Sequence, residues 1–368
     1  MASDVLVHLI EPAVWRAALT DGAVRPPSLD SVGFVHLSTP EQVHLPAERL
    51  YPGRRDLLLL VVDPRRLTDP VRFEPGVPTD PASMLFPHLY GPLPVTAVVA
   101  VVPYRPSSAP VLPDPDDALA RAVSFYASLS VRRAVGVGDV PGGVVVLDPD
   151  FPHSRDNNKL VLTAPVDAAA VGSAAAEVGG NAGWPHLTAE LMWPAAETVA
   201  AELRGCGWNT EELLLMTRSP APTSGGERAE AVEQHEVHEF WARSWRQGPA
   251  DLGPQLDQVV EQLVGREYLN DRVVAVTDLV VREEGRVVAS GQLRIDGGTA
   301  AVDSVLTDRQ ARGRGHADAL LARAVDLAAE AGCDLVVLAA SAEDWPHTWY
   351  ARRGFERVGS MWLADRPA

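Results

Sequence analysis

One segment constrains the fold of this 368-residue chain more than any other: Val305-Leu306-Thr307-Asp308-Arg309-Gln310-Ala311-Arg312-Gly313-Arg314-Gly315-His316-Ala317. An apolar strand ends, a turn with two alternate glycines follows, and an amphipathic helix opens, running from about His316 to Ala331. Glycine lets backbone N–H groups approach a ligand closely. The first N–H groups of a helix lack partners within it, so this junction suits an anion. Arg309, Arg312 and Arg314 add positive charge. A glycine-rich turn that merely caps a helix is the plainer reading; the preceding strand and the arginines favour the anion site. The segment lacks the Gly-x-x-x-x-Gly-Lys-Ser/Thr of a P-loop and the third glycine of a dinucleotide fingerprint.

Strands are expected at Val273 to Val281, Arg286 to Ile295 and Ala300 to Thr307 ahead of that turn. A buried strand at Leu335 to Ala339 and a last helix from Pro346 to Arg353 follow it. Helices between neighbouring strands make an α/β (α+β) sheet with ligands at the strand ends. Proline and glycine divide the rest. Pro103 to Pro115 reads as a stiff linker, and Ser219 to Gly226 as a second break. The blocks are 1–104, 116–218 and 227–368, joined by 105–115 and 219–226. The first is strand-rich, with apolar runs at Val5 to Ile10, Gly33 to Thr39, Leu57 to Val62 and Val95 to Val102, and a helix over Pro12 to Leu19.

Composition narrows the function classes. With 32 Lys plus Arg against 49 Asp plus Glu, the net charge of −17 makes nucleic acid a poor partner. It would attract cationic substrates instead. Cys206 and Cys333 are the only cysteines, which excludes a disulfide framework and fits a reducing cytoplasm. No apolar run approaches the ~20 residues of a membrane span, and Met1-Ala2-Ser3-Asp4 does not open a secretory signal. His153 and His186 have no metal-ligand company at useful spacing, so no metal is expected.

Gln310-x-x-Gly313-x-Gly315 resembles the Gln/Arg-x-x-Gly-x-Gly/Ala signature of GNAT acetyltransferases. Trp349-Tyr350-Ala351-Arg352-Arg353-Gly354-Phe355-Glu356 resembles the late Leu-Tyr-x-x-x-Gly-Phe segment of that family. Together they cover 227–368. The resemblance implies acetyl-CoA, its turn opened by Gln310 and its pyrophosphate on the backbone of Arg312, Gly313, Arg314, Gly315, His316 and Ala317. The pantetheine arm would follow Val305, Leu306 and Thr307, where a backbone N–H polarises the thioester carbonyl. A neutral primary amine, on a small molecule or a peptide, would attack directly. Tyr350 would protonate the leaving thiolate, and Asp303 is the candidate base, acting through water. Glu343-Asp344 departs from the family, where an asparagine is common. The middle block, with Gly142 to Asp148 and the polar run Asp150 to Leu160, resembles the degenerate half of tandem GNAT proteins, a central mixed β-sheet flanked by helices. Such pairing within one chain implies a monomer.

Residues 4–104 resemble the uncharacterised DUF952 family through Val7-His8-Leu9, Arg25-Pro26-Pro27-Ser28, Gly33-Phe34-Val35-His36-Leu37-Ser38-Thr39 and Phe86-Pro87-His88-Leu89-Tyr90-Gly91-Pro92-Leu93. That family is remotely similar to ADP-ribosyltransferase folds, where a strand-borne histidine and a following Ser/Thr hold NAD. His8 and His36 with Ser38 and Thr39 would take those parts, with His88 and Tyr90 a second polar cluster. Glu74 has no supporting motif around it. A histidine-rich binding module, or a protein that senses CoA without transferring an acetyl group, are the competing readings.

Overall fold

The computed structural model describes residues 5–76, 84–105, 112–247 and 256–368; most of the proline-rich stretch between the first two blocks, 106–111, lies outside them. Short apolar runs bounded by proline and glycine become strands throughout. The first block contains β1 (Leu6–Ile10), α1 (Pro12–Asp21), β2 (Ala23–Val24), α2 (Pro27–Ser31), β3 (Val35–His36), α3 (His44–Leu50), β4 (Leu58–Val62), β5 (Val71–Pro75), β6 (Leu85–Leu89), β7 (Leu93–Pro94) and β8 (Val98–Pro103). They form two three-stranded sheets, β1-β4-β8 and β3-β6-β5, and a β2-β7 pair. β4 reads Leu-Leu-Leu-Val-Val because it is central and buried at every residue. The strand expected over Gly33 to Thr39 is only Val35–His36, extended by a single bridge from Ser38 to Val7. Val95 to Ala97 is a 3₁₀ turn rather than the start of β8.

The middle block contains α4 (Ala118–Arg133), β9 (Gly136–Val140), β10 (Gly143–Leu147), β11 (Lys159–Leu162), α5 (Ala168–Ala182), β12 (His186–Leu191), α6 (Glu197–Gly205) and β13 (Asn209–Arg218). The last contains β14 (Glu230–Val232), α7 (His238–Arg246), α8 (Leu256–Gly265), α9 (Tyr268–Asp271), β15 (Ala275–Glu283), β16 (Arg286–Asp296), β17 (Thr299–Thr307), α10 (His316–Glu330), β18 (Leu335–Ser341), α11 (Pro346–Ala351) and β19 (Glu356–Pro367).

These two blocks share one eleven-stranded mixed sheet, ordered β14-β15-β16-β17-β18-β13-β19-β12-β11-β10-β9. Its centre is an exchange. β13, which ends the middle block, lies between β18 and β19. β19 lies between β13 and β12. Each half therefore lends its last strand to the other, and neither has a sheet of its own. α10 and α11 pack on one face, over a core that includes Leu293, Val302, Val325, Val336 and Phe355. α4 covers the other face at the seam. Its Phe125 and Leu129 pack with Val144 and Val161 of the middle half and Val337 of the last.

The first block is locked onto the β16–β17 hairpin. Trp15, fully buried, donates from Nε1 to Asp296 Oδ1 at 2.8 Å, and Arg132 of α4 pairs with the same carboxylate. Gly298 N–H donates to the Val98 carbonyl at 2.7 Å, and Thr299 Oγ1 to that of Val99 at 2.9 Å. A Cβ on Gly297 would stand 2.3 Å from the Val98 oxygen, so the approach requires glycine. No helix among the described residues is long and apolar enough to cross a membrane.

Candidate active site

A backbone irregularity opens the site. β17 pairs with β18 only from Thr299 to Ala301. The register with β16 then shifts between Ser290 and Gln292, and Ser304 adopts φ +54°, a bulge that swings the rest of β17 away. Asp303 holds the kink, its Oδ1 accepting from Ser304 N–H at 2.6 Å. Alternate backbone groups of Val302 to Thr307 consequently face a slot, with Leu338 to Ser341 of β18 across it. Leu306 is exposed there, and Val305 packs on the core.

At the end of the slot the glycine turn has the geometry its sequence requires. Gly313 and Gly315 take φ +76° and +77°, values costly to residues with a Cβ. Gly315 is the N-cap of α10 and no side chain caps it, so the N–H groups of the first turn point outward unanswered by any side chain. Asp308 accepts from Gln310 N–H and shapes the entry. Arg314 bonds Glu283 at 2.7 Å, and Arg312 returns to the Thr307 carbonyl. The His316 side chain is turned inward and buried. Its Nδ1 accepts from Arg228 at 2.9 Å and its Nε2 donates to Glu283 at 3.0 Å, which fixes one tautomer. His316 thus offers a ligand only its backbone. Arg228 and Glu283, which brace the turn, carried no signal in the sequence.

Two phenols and a carboxylate converge beside the slot. Tyr350 on α11 is buried against Trp349 and Phe355, and its hydroxyl makes no hydrogen bond among the described residues. Burial, and then the Asp303 carboxylate, push it up to about 12. Tyr126 arrives from α4 of the middle block. Its oxygen takes the backbone N–H of Ala339, and burial, with Asp303 next, raises it strongly. Asp303 Oδ2 pairs with Arg294 Nη1 at 2.5 Å, which holds the carboxylate in place.

Behind it runs a polar row across three strands, Asp278, Gln292 and Asp303, one cross-strand partner to the next. Gln292 donates to Asp278 at 2.8 Å, Arg294 donates to Gln292 at 2.7 Å, and Glu267 takes a second Arg294 N–H at 3.3 Å. Burial pushes Asp278 up to about 6 despite the Gln292 bond. Asp271 is also raised by burial, and Gln234 donates to it at 3.2 Å. Trp345 is exposed near α11, while Trp349 belongs to the core.

The middle half lacks the slot and the bare helix start among the described residues. β11 and β12 stay paired from Leu160 to Leu162, and Met192 N–H reaches the Leu162 carbonyl beyond, so no slot opens. Asp167 caps α5, accepting from Ala170 N–H at 2.7 Å, which places a carboxylate where the other half has bare glycine.

In the first block the structure gathers His8, His36, His88 and Tyr90. His8 Nδ1 donates to the His36 carbonyl at 2.8 Å, and the His36 and His88 rings meet edge-on at 5.1 Å. Glu74 joins them after all: it accepts from the Tyr90 hydroxyl at 2.6 Å and lies 3.4 Å from His88 Nδ1. The register of β5 against β6 brings it there. Ser38 contributes a backbone pair with Val7, and Thr39 gives its hydroxyl to Gln42. Neither bonds the histidines among the described residues. Burial lowers all three histidines, His8 to about 4, which favours their uncharged form. Arg72 stacks over the Tyr90 ring, 4.5 Å from its centroid. No group of three or more His, Cys, Asp or Glu among the described residues could hold a metal ion.

The family model described as acetyltransferase (GNAT) family matches residues 235–355. The model described as protein of unknown function (DUF952) matches residues 9–101. A probable glucosamine 6-phosphate N-acetyltransferase 2 from Oryza sativa subsp. japonica is 27% identical over 162 residues, spanning 39% of this chain and 96% of that protein. The fold is shared with a functionally unknown conserved protein from Staphylococcus epidermidis ATCC 12228, at TM-score 0.51 and 14% identity, over 62% of this chain and 92% of that one. A GCN5-related N-acetyltransferase from Kribbella flavida aligns at TM-score 0.47 and 19% identity, over 68% of this chain and 96% of that one.

Proposed function

We propose that this chain, an acyltransferase whose C-terminal part is a GNAT acetyltransferase domain and whose N-terminal part is a DUF952 domain, moves the acetyl group of acetyl-CoA to a primary amine. The observation that carries this reading is the slot ending on the uncapped Gly313–Gly315 helix start. The pyrophosphate rests on the N–H groups from Arg312 to Ala317. The pantetheine arm lies along Val305 to Thr307, and a slot-facing N–H takes the thioester oxygen as charge develops on it. Tyr350 keeps its proton at neutral pH because burial raises it. Its unpaired hydroxyl is the proton donor to the leaving thiolate. Asp303, held by Arg294, orients the incoming amine and receives its proton through water.

The acceptor arrives along the row behind Asp303, where Asp271, Asp278 and Glu267 stand against Arg294, Arg266 and Arg16. The net charge of −17 favours a cationic acceptor without a phosphate, unlike the phosphorylated sugar in the name of the rice relative. The exchanged strands supply within one chain a pairing that separate subunits would otherwise provide, so the enzyme is a monomer.

The test is thiol release from acetyl-CoA over a panel of diamines, amino sugars and peptide N-termini. Tyr350→Phe should lower kcat by roughly 10²–10⁴-fold with little change in KM for acetyl-CoA. A Tyr350→Phe enzyme with unchanged kcat sinks the acid assignment. CoA binding without turnover on any amine favours a sensor.

A further inference from the structure

The middle half opens no slot of its own, but its helix α4 reaches the slot of the last half. β17 keeps register with β18 as far as Ala301 opposite Val337, so continued pairing would set Asp303 opposite Ala339. Those two residues mark the closed end of the slot, where the strands part. Leu293, Val302 and Leu338 point into the core beneath α10 and α11. Alternation turns Arg294, Asp303 and Ala339 to the other face, the one α4 covers.

Tyr126 comes from that helix. It is half-buried, packs with the core that holds Ala301 and Val337, and its oxygen accepts from the Ala339 N–H. Two turns on, Arg133 donates to Asn270 at 3.1 Å. Asn270 donates at 3.1 Å to Glu267, the carboxylate that takes an Arg294 N–H. α4 is thereby keyed to the row that holds Asp303. Tyr350 belongs to the core on the opposite face, so the two phenols approach Asp303 from either side of the sheet.

A ligand laid along the slot from the Gly313–Gly315 turn has its far end at this point. The Ala339 bond uses the phenol as an acceptor, and no group among the described residues takes its proton. Receiving an N–H polarises the O–H and makes it a better donor. A thioester oxygen is an acceptor of matching chemistry. It has two lone pairs, and the slot-facing N–H of β17 uses one.

We propose that Tyr126 is a catalytic residue of the last half supplied by the middle half, its phenol O–H donating to the thioester oxygen of acetyl-CoA beside the β17 N–H. This rests on the acetyltransferase reading and adds a reason why the half without a slot is needed. No proton changes hands; the hydrogen bond strengthens as negative charge grows on the oxygen.

The test reads the bound coenzyme as well as turnover. Acetyl-CoA with an isotopic label at the thioester carbonyl is bound to the full chain, and its stretching frequency is taken by difference infrared spectroscopy. The wild type should lower that frequency relative to free acetyl-CoA. Tyr126→Phe should return it part of the way, with acetyl-CoA affinity within about 10-fold of the wild type. On an accepted amine its kcat should fall roughly 10²–10³-fold. A ring-fluorinated tyrosine at position 126 keeps the shape and is a stronger donor, so it should move the frequency further from the free value. A tyrosine that merely ties α4 to Ala339 would cost stability in Tyr126→Phe and leave the frequency where it was. If Tyr126→Phe does not fold, the fluorinated chain decides. A frequency indifferent to residue 126 overturns this proposal alone. Failure of acetyl-CoA to bind the wild type overturns the acetyltransferase reading, and this proposal with it.

Discussion

The glycine turn can be tested by a pair of substitutions that differ only in charge. Gly313 has φ +76°, and a Cβ built there has no atom within 4 Å, so a side chain has room and the cost lies in the backbone alone. Asn and Asp visit this left-handed region more readily than other residues with a Cβ. Gly313→Asn therefore reports the backbone cost, on the order of 1 kcal/mol. Gly313→Asp adds a carboxylate of the same size. If the pyrophosphate rests on this turn, one phosphate charge lies about 5 Å from that carboxylate. At an effective dielectric of about 20 the repulsion is about 3 kcal/mol, roughly 200-fold in affinity. Calorimetric titration with CoA should show Gly313→Asn within about 5-fold of the wild type and Gly313→Asp far weaker. The gap should shrink between ionic strengths on the order of 0.01 M and 1 M, because the turn is exposed to screening. Equal affinities for the two variants, or a gap insensitive to salt, would refute the placement of the pyrophosphate.

Asp278→Asn should stabilise the chain. In the fold this carboxyl keeps its proton to about pH 6, against 3.8 as its ordinary value, so its contribution to stability falls as pH rises between those values. Denaturant unfolding should show a gain of about 1–3 kcal/mol at pH 7 that vanishes near pH 4; a loss at pH 7 would contradict the reading. Calorimetry should find one CoA per chain, since only the last half opens a slot; two equivalent sites would contradict it. A chain stopped before β19 should lose both halves together, because β12 and β13 each lose a partner. Limited proteolysis that recovered an intact 116–218 fragment from it would show the halves to be separable.

What could be read from the sequence was local. The phosphate turn was legible because strand, glycines and helix start fall within thirteen consecutive residues. Tyr350 was legible for the same reason. The braces were not. Arg228 meets His316 from 88 positions away, and Glu283 meets it from 33. Tyr126 sits on an ordinary amphipathic helix, and nothing in its spacing says that it reaches across the seam to Ala339. Glu74 lacked a motif because its company comes from the facing strand. The exchange of β13 and β19 was invisible because alternation specifies which face of a strand is buried, not which neighbour it takes.

The exchange also sets the order in which the molecule can be made. On the ribosome, β12 and β13 emerge long before β19, whose last residue, Pro367, follows Arg218 by 149 positions. At about 5–20 residues per second that is an interval of roughly 7–30 s. Until the last half is made, β12 has one open edge and β13 two, the state most exposed to pairing with another chain. The first block can close its sheets early, since none of its strands pairs with the large sheet. Synthesis thus leaves a finished domain tethered to an open one, and yield in the cell depends on how well that interval is protected.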